Sequence, residues 1–87
     1  MAISEQIVSE IEALFERLIV QQRDKVIEVA LDIVPQVSPE HMQDPHDYPE
    51  VAADAIFNFE DGFLAGLMSA RLALRTNVFA AHQSPAS

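Results

Sequence analysis

The chain has 87 residues and no cysteine, and its fourteen acidic residues against five basic ones give a formal net charge of −9. Without cysteine it contains neither a disulfide framework nor a thiolate metal site, and its length allows one small domain. The acidity argues against direct binding to nucleic acid or to an anionic membrane surface, because both would repel the chain.

The first predicted helix begins at Ser4, since serine is a favoured N-cap residue and a carboxylate such as Glu5 stabilises the first turn. Apolar residues then recur at spacings of three and four as far as Val34, which is helical periodicity. Four polar residues at 21–24 interrupt this stripe, so a break capped by Asp24 competes with one continuous helix. The stripe keeps its phase across the interruption, and we therefore predict a continuous helix that Pro35 ends.

Four prolines, at positions 35, 39, 45 and 49, stiffen the predicted connection between the helices. Ser38 followed by Pro39 predicts one helical turn at about 39–43. The second long helix is predicted over about 49–79, with Asn77 as a left-handed residue that stops it. Residues 1–81 would then form one domain, and the tail 82–87, which lacks periodicity, is expected to be disordered.

The second helix contains an almost wholly apolar or small run at 62–74, interrupted only by Ser69 and Arg71. A helix that is apolar all round must be buried all round. Gly62, Gly66 and Ala70 recur at every fourth position and form a flat face that another helix can approach closely. The run is shorter than the roughly 20 apolar residues that span a bilayer, so we expect a helix packed in protein.

Two long helices joined by a short connection predict an all-α antiparallel hairpin, in which paired positions have numbers that sum to about 82. The charges agree with this pairing, because it places Arg71 and Arg75 near Glu5, Glu10 and Glu12, and Arg23 and Lys25 near Glu60 and Asp61. Two such helices cannot cover all their apolar surface, so we predict a homodimer in the form of a four-helix bundle. Its interface residues would be Phe15, Leu18, Ile19, Phe59, Gly62, Phe63, Gly66 and Ala70.

The negative charge is concentrated in the middle of the chain, where residues 26–70 include nine acids and neither lysine nor arginine. Such a surface favours a basic protein partner. The acids predicted to face it are Glu40, Asp44, Asp47, Glu50, Asp54, Glu60 and Asp61. The alternative is that these acids only keep a small apolar protein in solution.

The segment 40–50 collects carboxylates and two histidines that could act as metal ligands. However, His41 and His46 lie five positions apart with Pro45 between them, which does not fit a zinc-binding helix. The glycine of an EF-hand loop is also missing. We predict neither a metal site nor a cofactor, although weak binding of a divalent ion by this loop stays open.

No serine has the glycine-rich surroundings of a catalytic nucleophile, so the sequence predicts a protein that is not an enzyme. We expect a cytoplasmic protein-binding module, acting as a regulator, inhibitor or chaperone-like partner, since residues 1–9 lack the basic start of a signal peptide. One alternative is a structural subunit of a larger assembly. The other is a metal-dependent all-α hydrolase that uses the helical carboxylates Glu12, Glu16, Glu28 and Asp32.

Overall fold

The computed structural model describes residues 3–80 of the chain. Its elements are α1 (Glu5–Ile33), two single 3-10 turns (Pro39–His41 and Pro45–Asp47), a short α2 (Pro49–Ala52), α3 (Ala55–Leu74) and a π-helical turn (Arg75–Phe79) that continues α3. No strand occurs among these residues, and the all-α prediction is confirmed. The tail predicted at 82–87 lies outside the described residues.

Helix α1 is continuous through the polar residues 21–24, as its unbroken phase predicts. At its start, the Ser4 hydroxyl accepts a hydrogen bond from the Ile7 N–H at 3.2 Å. The side-chain amide of Gln22 donates to the backbone carbonyl of Glu60 at 2.9 Å, so one member of the polar layer joins the two arms. The helix ends at Ile33, and Val34 leaves helical geometry before Pro35, as the steric effect of proline requires.

The second arm is divided in two, and the prediction of one helix over 49–79 is wrong at this point. Helix α2 ends at Ala52, and Asp54 has an extended backbone conformation and caps α3. The Asp54 carboxylate accepts a hydrogen bond from the Phe57 N–H at 2.8 Å, which satisfies one of the free donors at the helix start. The side-chain amide of Asn58 donates to the Ala52 carbonyl at 3.0 Å and closes the break.

Asn77 is not the left-handed stop that the sequence predicts, because no residue of the described range has a positive φ. The helix instead passes through the π turn, in which the Ala80 N–H donates to the Arg75 carbonyl. A π turn displaces the usual partners of the preceding carbonyls. The Asn77 amide donates to the Ala73 carbonyl at 3.0 Å, and the Thr76 hydroxyl donates to that of Leu72 at 3.0 Å.

Helices α1 and α3 pack as an antiparallel hairpin that measures 55 × 19 × 19 Å. Two arginines of the second arm bind acids in the first half of α1: Arg71 of α3 contacts Glu16 at 3.0 Å, and Arg75 of the π turn contacts Glu12 at 2.8 Å. Of these two acids, only Glu12 is among those predicted to lie near Arg71 and Arg75. In the range 3–80, no ion pair forms at Arg23 or Lys25, so the predicted pairs with Glu60 and Asp61 are absent there.

The main core lies at the end of the hairpin where the connection turns back. It consists of six buried residues from α1, the connection, α2 and α3: Val26, Ala30, Val34, Met42, Val51 and Phe57. Because the connection and α2 fold over the two arms, four segments contribute to the core at this end. Within residues 3–80, no helix is both long enough and apolar enough to cross a membrane.

Candidate protein-interaction surfaces

Helix α3 presents one side to α1 and leaves large aromatic side chains on another. Phe57 is 0% exposed and belongs to the core, and Leu64 packs against that core. Phe59 and Phe63 are 69% and 53% exposed. With 3.6 residues per turn, Phe59 and Phe63 share a direction that differs from that of Phe57. A single neighbouring helix therefore covers only part of this apolar helix.

The small residues of α3 do not form the contact that closes the hairpin. The sequence predicts that another helix approaches closely at Gly62 and Gly66, yet both glycines are exposed in the single chain. Within the described part of the chain, a Cβ added at either glycine would meet nothing within 4 Å beyond its own helix backbone and adjacent residues. Ile19 is buried between the arms, because α1 contacts the side of α3 that carries Phe57 and Leu64.

Several exposed apolar side chains of the two arms lie on one side of the hairpin, and we call this surface the apolar face. Phe15 of α1 and Phe63, Gly66, Leu67 and Ala70 of α3 line an open groove of about 380 Å³. On α1, spacings of seven and four place the exposed residues Ile7, Leu14 and Leu18 on one line, which runs next to Phe15. The apolar face comprises Ile7, Leu14, Phe15, Leu18, Ile56, Phe59, Phe63, Gly66, Leu67 and Ala70.

The two arginine pairs lie along the other side of the hairpin. Glu12 and Glu16 are one turn apart on α1. They border the buried stripe of that helix on one edge, and Leu14 and Leu18 border it on the opposite edge. The hydrogen bond from Arg75 lowers the pKa of Glu12 below the ordinary value of 4.5 and raises the pKa of the Arg75 guanidinium. The apolar face thus lies away from these two ion pairs.

The predicted partner-facing acids divide into two groups. Glu40, Asp44, Asp47 and Glu50 are exposed on the connection and the start of α2. Asp54, Glu60 and Asp61 are partly buried, and two of their carboxylates make contacts within the chain: Asp54 caps α3, and Asp61 lies 3.0 Å from the His46 ring nitrogen Nε2. The exposed acidic surface at the closed end of the hairpin is therefore smaller than the sequence predicts.

The candidate metal ligands are scattered. Among residues 3–80, no three histidine, aspartate or glutamate side chains are grouped closely enough to hold a metal ion. His41 contacts the Ser38 hydroxyl through Nδ1, and His46 contacts Asp61. Of the four carboxylates in the hydrolase hypothesis, Glu12 and Glu16 bind arginines. Glu28 and Asp32 lie at least 12 residues further along α1, or about 18 Å at 1.5 Å per residue.

Sequence reasoning missed Ile7, Leu14 and Ile56 as surface residues, because it assigned the apolar positions of each arm to one stripe. All three are exposed. The signal was present in the phase: Ile7, Leu14 and Leu18 follow one line along α1, whereas the buried residues Val8, Ile19 and Val26 follow a second line. Two parallel apolar lines on a helix indicate two neighbours rather than one.

No protein-family model matches the chain, and neither a curated protein nor a solved structure matches it.

Proposed function

We propose that this chain is a small acidic protein-binding module that acts through helix packing and an acidic surface. In this proposal, a second copy covers the apolar face and completes a four-helix bundle. The exposed acids at the closed end stay available to a basic protein partner. The module would act by occupying its partner's surface, as a regulator, an inhibitor or a chaperone-like partner, and would catalyse no reaction.

The observation that carries the proposal is the exposure of Phe59 and Phe63 in a hairpin only one helix layer thick. Stable domains usually bury apolar stripes between at least two packed layers. Phenylalanine side chains that are more than half exposed on one continuous surface are typical of sites that contact another protein. Covering both with protein would contribute several kcal/mol at about 25 cal/mol per Å² of apolar surface.

The distribution of charge supports the basic partner. The exposed residues Glu40, Asp44, Asp47 and Glu50 lie within 11 positions of one another, in a stretch without lysine or arginine. Because unpaired exposed carboxylates attract cationic surfaces over about 10 Å at 0.1 M salt, they would steer a basic protein toward this end of the hairpin. The apolar face and the acidic end thus serve two different contacts.

The self-association part is tested with Gly66→Leu, which fills the groove. A Cβ added at this exposed position meets nothing within 4 Å in the described part of the chain, so the hairpin should stay helical. We expect sedimentation over a hundredfold range of dilution to show a dimer for the natural sequence and a monomer for the variant. Ala65→Leu, which adds the same side chain on an exposed position outside the groove, is the control and should stay dimeric. Unchanged association of Gly66→Leu would contradict the proposed interface.

The acidic contact is tested with a fourfold variant, Glu40→Gln, Asp44→Asn, Asp47→Asn and Glu50→Gln. We expect the natural sequence to retain a basic protein from an extract of its own cells at low salt and to release it near 0.5 M salt, where the Debye length is only about 4 Å. The variant should retain none. A control with the same change in charge on α1 (Glu10→Gln, Asp24→Asn, Glu28→Gln, Asp32→Asn) should retain the partner.

The hydrolase and the structural subunit are hypotheses with less support. The four carboxylates proposed for the hydrolase are separated along α1, and two of them bind arginines. Millimolar magnesium or manganese should raise the melting temperature if a specific site exists, because a ligand that binds only the folded state stabilises it. An unchanged melting curve would refute the hydrolase hypothesis.

A further inference from the structure

On one face of α3, the exposed side chains change from large to small along the helix. Ile56, Phe59 and Phe63 come first, and the exposed residues Gly66, Ala70 and Ala73 follow at the same helical spacing. A two-fold axis through Gly66 reverses this order, so the large residues of one copy would lie over the small residues of the other. Phe63 would meet the second copy's Ala70, and Phe59 would meet its Ala73. The surface is therefore complementary to itself, as a two-fold interface requires.

The distribution of charge along the hairpin favours the same arrangement. Residues 23–59, the closed half, carry eight acids and two bases and thus a net charge of −6, whereas the remainder of the chain carries −3. Two copies that point in the same direction would place both closed halves side by side. Copies that point in opposite directions place each closed half beside the less acidic half of the other, which contains Arg71 and Arg75. Like charges near each other cost free energy, so the second arrangement is favoured.

The amount of apolar surface is adequate for a dimer. At roughly 150–250 Å² for a whole aromatic side chain, Phe59 and Phe63 together expose about 250 Å². Ile7, Leu14, Leu18 and Ile56, each between one third and two thirds exposed, add further apolar area. A standard interface buries about 800 Å² per partner, somewhat more than half of it apolar. The apolar face therefore supplies a large part of the apolar area that a two-fold contact buries.

We infer that the second copy packs with its hairpin in the opposite direction, and that α3 crosses the second copy's α3 at Gly66. This inference rests on the proposed self-association and adds its geometry. The glycine allows the two helix backbones to approach closely, which explains a residue that costs about 1 kcal/mol relative to alanine inside a helix. The acidic closed halves then lie at opposite ends of the assembly, and each can bind its own basic partner.

The test is disulfide cross-linking, because the sequence contains no cysteine. In the inferred arrangement, Gly66→Cys brings its own thiol and that of the second copy together near the axis, within the Cβ separation of about 4 Å that a disulfide needs. At about 10 µM chain, oxidation should link the copies about a hundredfold faster than chance collision, since adjacent thiols have an effective concentration near 1 mM. Ala65→Cys, outside the groove, is the control and should link only at the collision rate.

Hairpins that point in the same direction would give a different cross-link. If the hairpins point in the same direction, α1 of one copy lies over α3 of the other, and the two α3 helices lie on a diagonal. An equimolar mixture of Leu14→Cys and Gly66→Cys chains would then form the mixed disulfide, while Gly66→Cys alone would not be linked. That result in a chain that sediments as a dimer overturns the inferred geometry and leaves the proposed function intact. A natural sequence that stays monomeric at every concentration overturns the self-association itself.

Discussion

The two ends of this hairpin differ in how completely they bury their apolar side chains. At the closed end, the connection and α2 add Met42 and Val51 to the apolar residues of the two arms, and Phe57 is completely buried among them. Toward the open end the arms have only each other. They bury Val8, Ile19 and Phe79, yet seven of the nine large exposed apolar residues in the range 3–80 lie in residues 3–22 and 60–80. Two helices therefore cover their apolar side chains less completely than two helices and a folded connection do.

The largest expected effect on this comparison comes from replacing one phenylalanine at each end. Phe57→Ala should lower the free energy of unfolding by about 3–5 kcal/mol, because it leaves a cavity in a closed core. Phe63→Ala should cost less than about 1 kcal/mol in dilute solution, since its ring is half exposed in the single chain. Denaturant titration at low protein concentration measures both. Phe57→Leu provides a milder second variant in case the alanine variant does not fold, and equal costs at the two ends would refute the comparison.

The cap between α2 and α3 sharpens the comparison, because it joins the closed core to the exposed helix. Asp54→Ala removes the acceptor of the Phe57 N–H and should cost about 1 kcal/mol of unfolding free energy. Asp54→Asn should restore most of it, since asparagine is also a good N-cap residue. Asp47→Ala, which removes an exposed acid of the connection, is the matched control and should change stability by less than about 0.5 kcal/mol.

The smallest expected effect concerns the ion pair at the open end. The hydrogen bond from Arg75 holds the pKa of Glu12 below 4.5, so this carboxylate contributes stability above its unfolded pKa and loses that contribution as the pH falls through the folded value. A carboxyl titration followed by NMR should give a Glu12 midpoint below 4.5 in the natural sequence. Arg75→Gln should move the midpoint upward, and Arg17→Gln should leave it in place. A Glu12 midpoint that Arg75→Gln does not change would contradict the pairing.

Most of the fold follows from local signals in the sequence. Ser4 and Pro35 mark the limits of α1, and the phase of its apolar residues correctly predicts a continuous helix across residues 21–24. The break at Asp54 was missed because the apolar pattern on both sides looks like one helix, although aspartate is a preferred cap. Asn77 was misread because side-chain hydrogen bonds and a π turn carry the helix past it, and such a turn leaves no distinctive pattern in the sequence.

The candidate surfaces were harder to predict than the fold. The sequence correctly suggests that α3 has more apolar surface than one neighbour can cover, but it does not reveal which side α1 takes. Phe57 and Phe59 are two positions apart and similar in chemistry, yet one is buried and the other is exposed. Which of the two side chains is buried depends on how the connection folds over the closed end, which is a tertiary contact. The acidic surface was overestimated for the same reason, since Asp54 and Asp61 are engaged within the chain.

The position of the main core also has a consequence for how the molecule forms. All six residues of that cluster lie between Val26 and Phe57, so the chain loops that bring them together are short and their closure costs little entropy. Folding should nucleate there, and pairing of the arms should then proceed toward Glu12 and Arg75. Amide hydrogen exchange should accordingly be slowest around Ala30 and fastest at the opposite tip, where the arms open first.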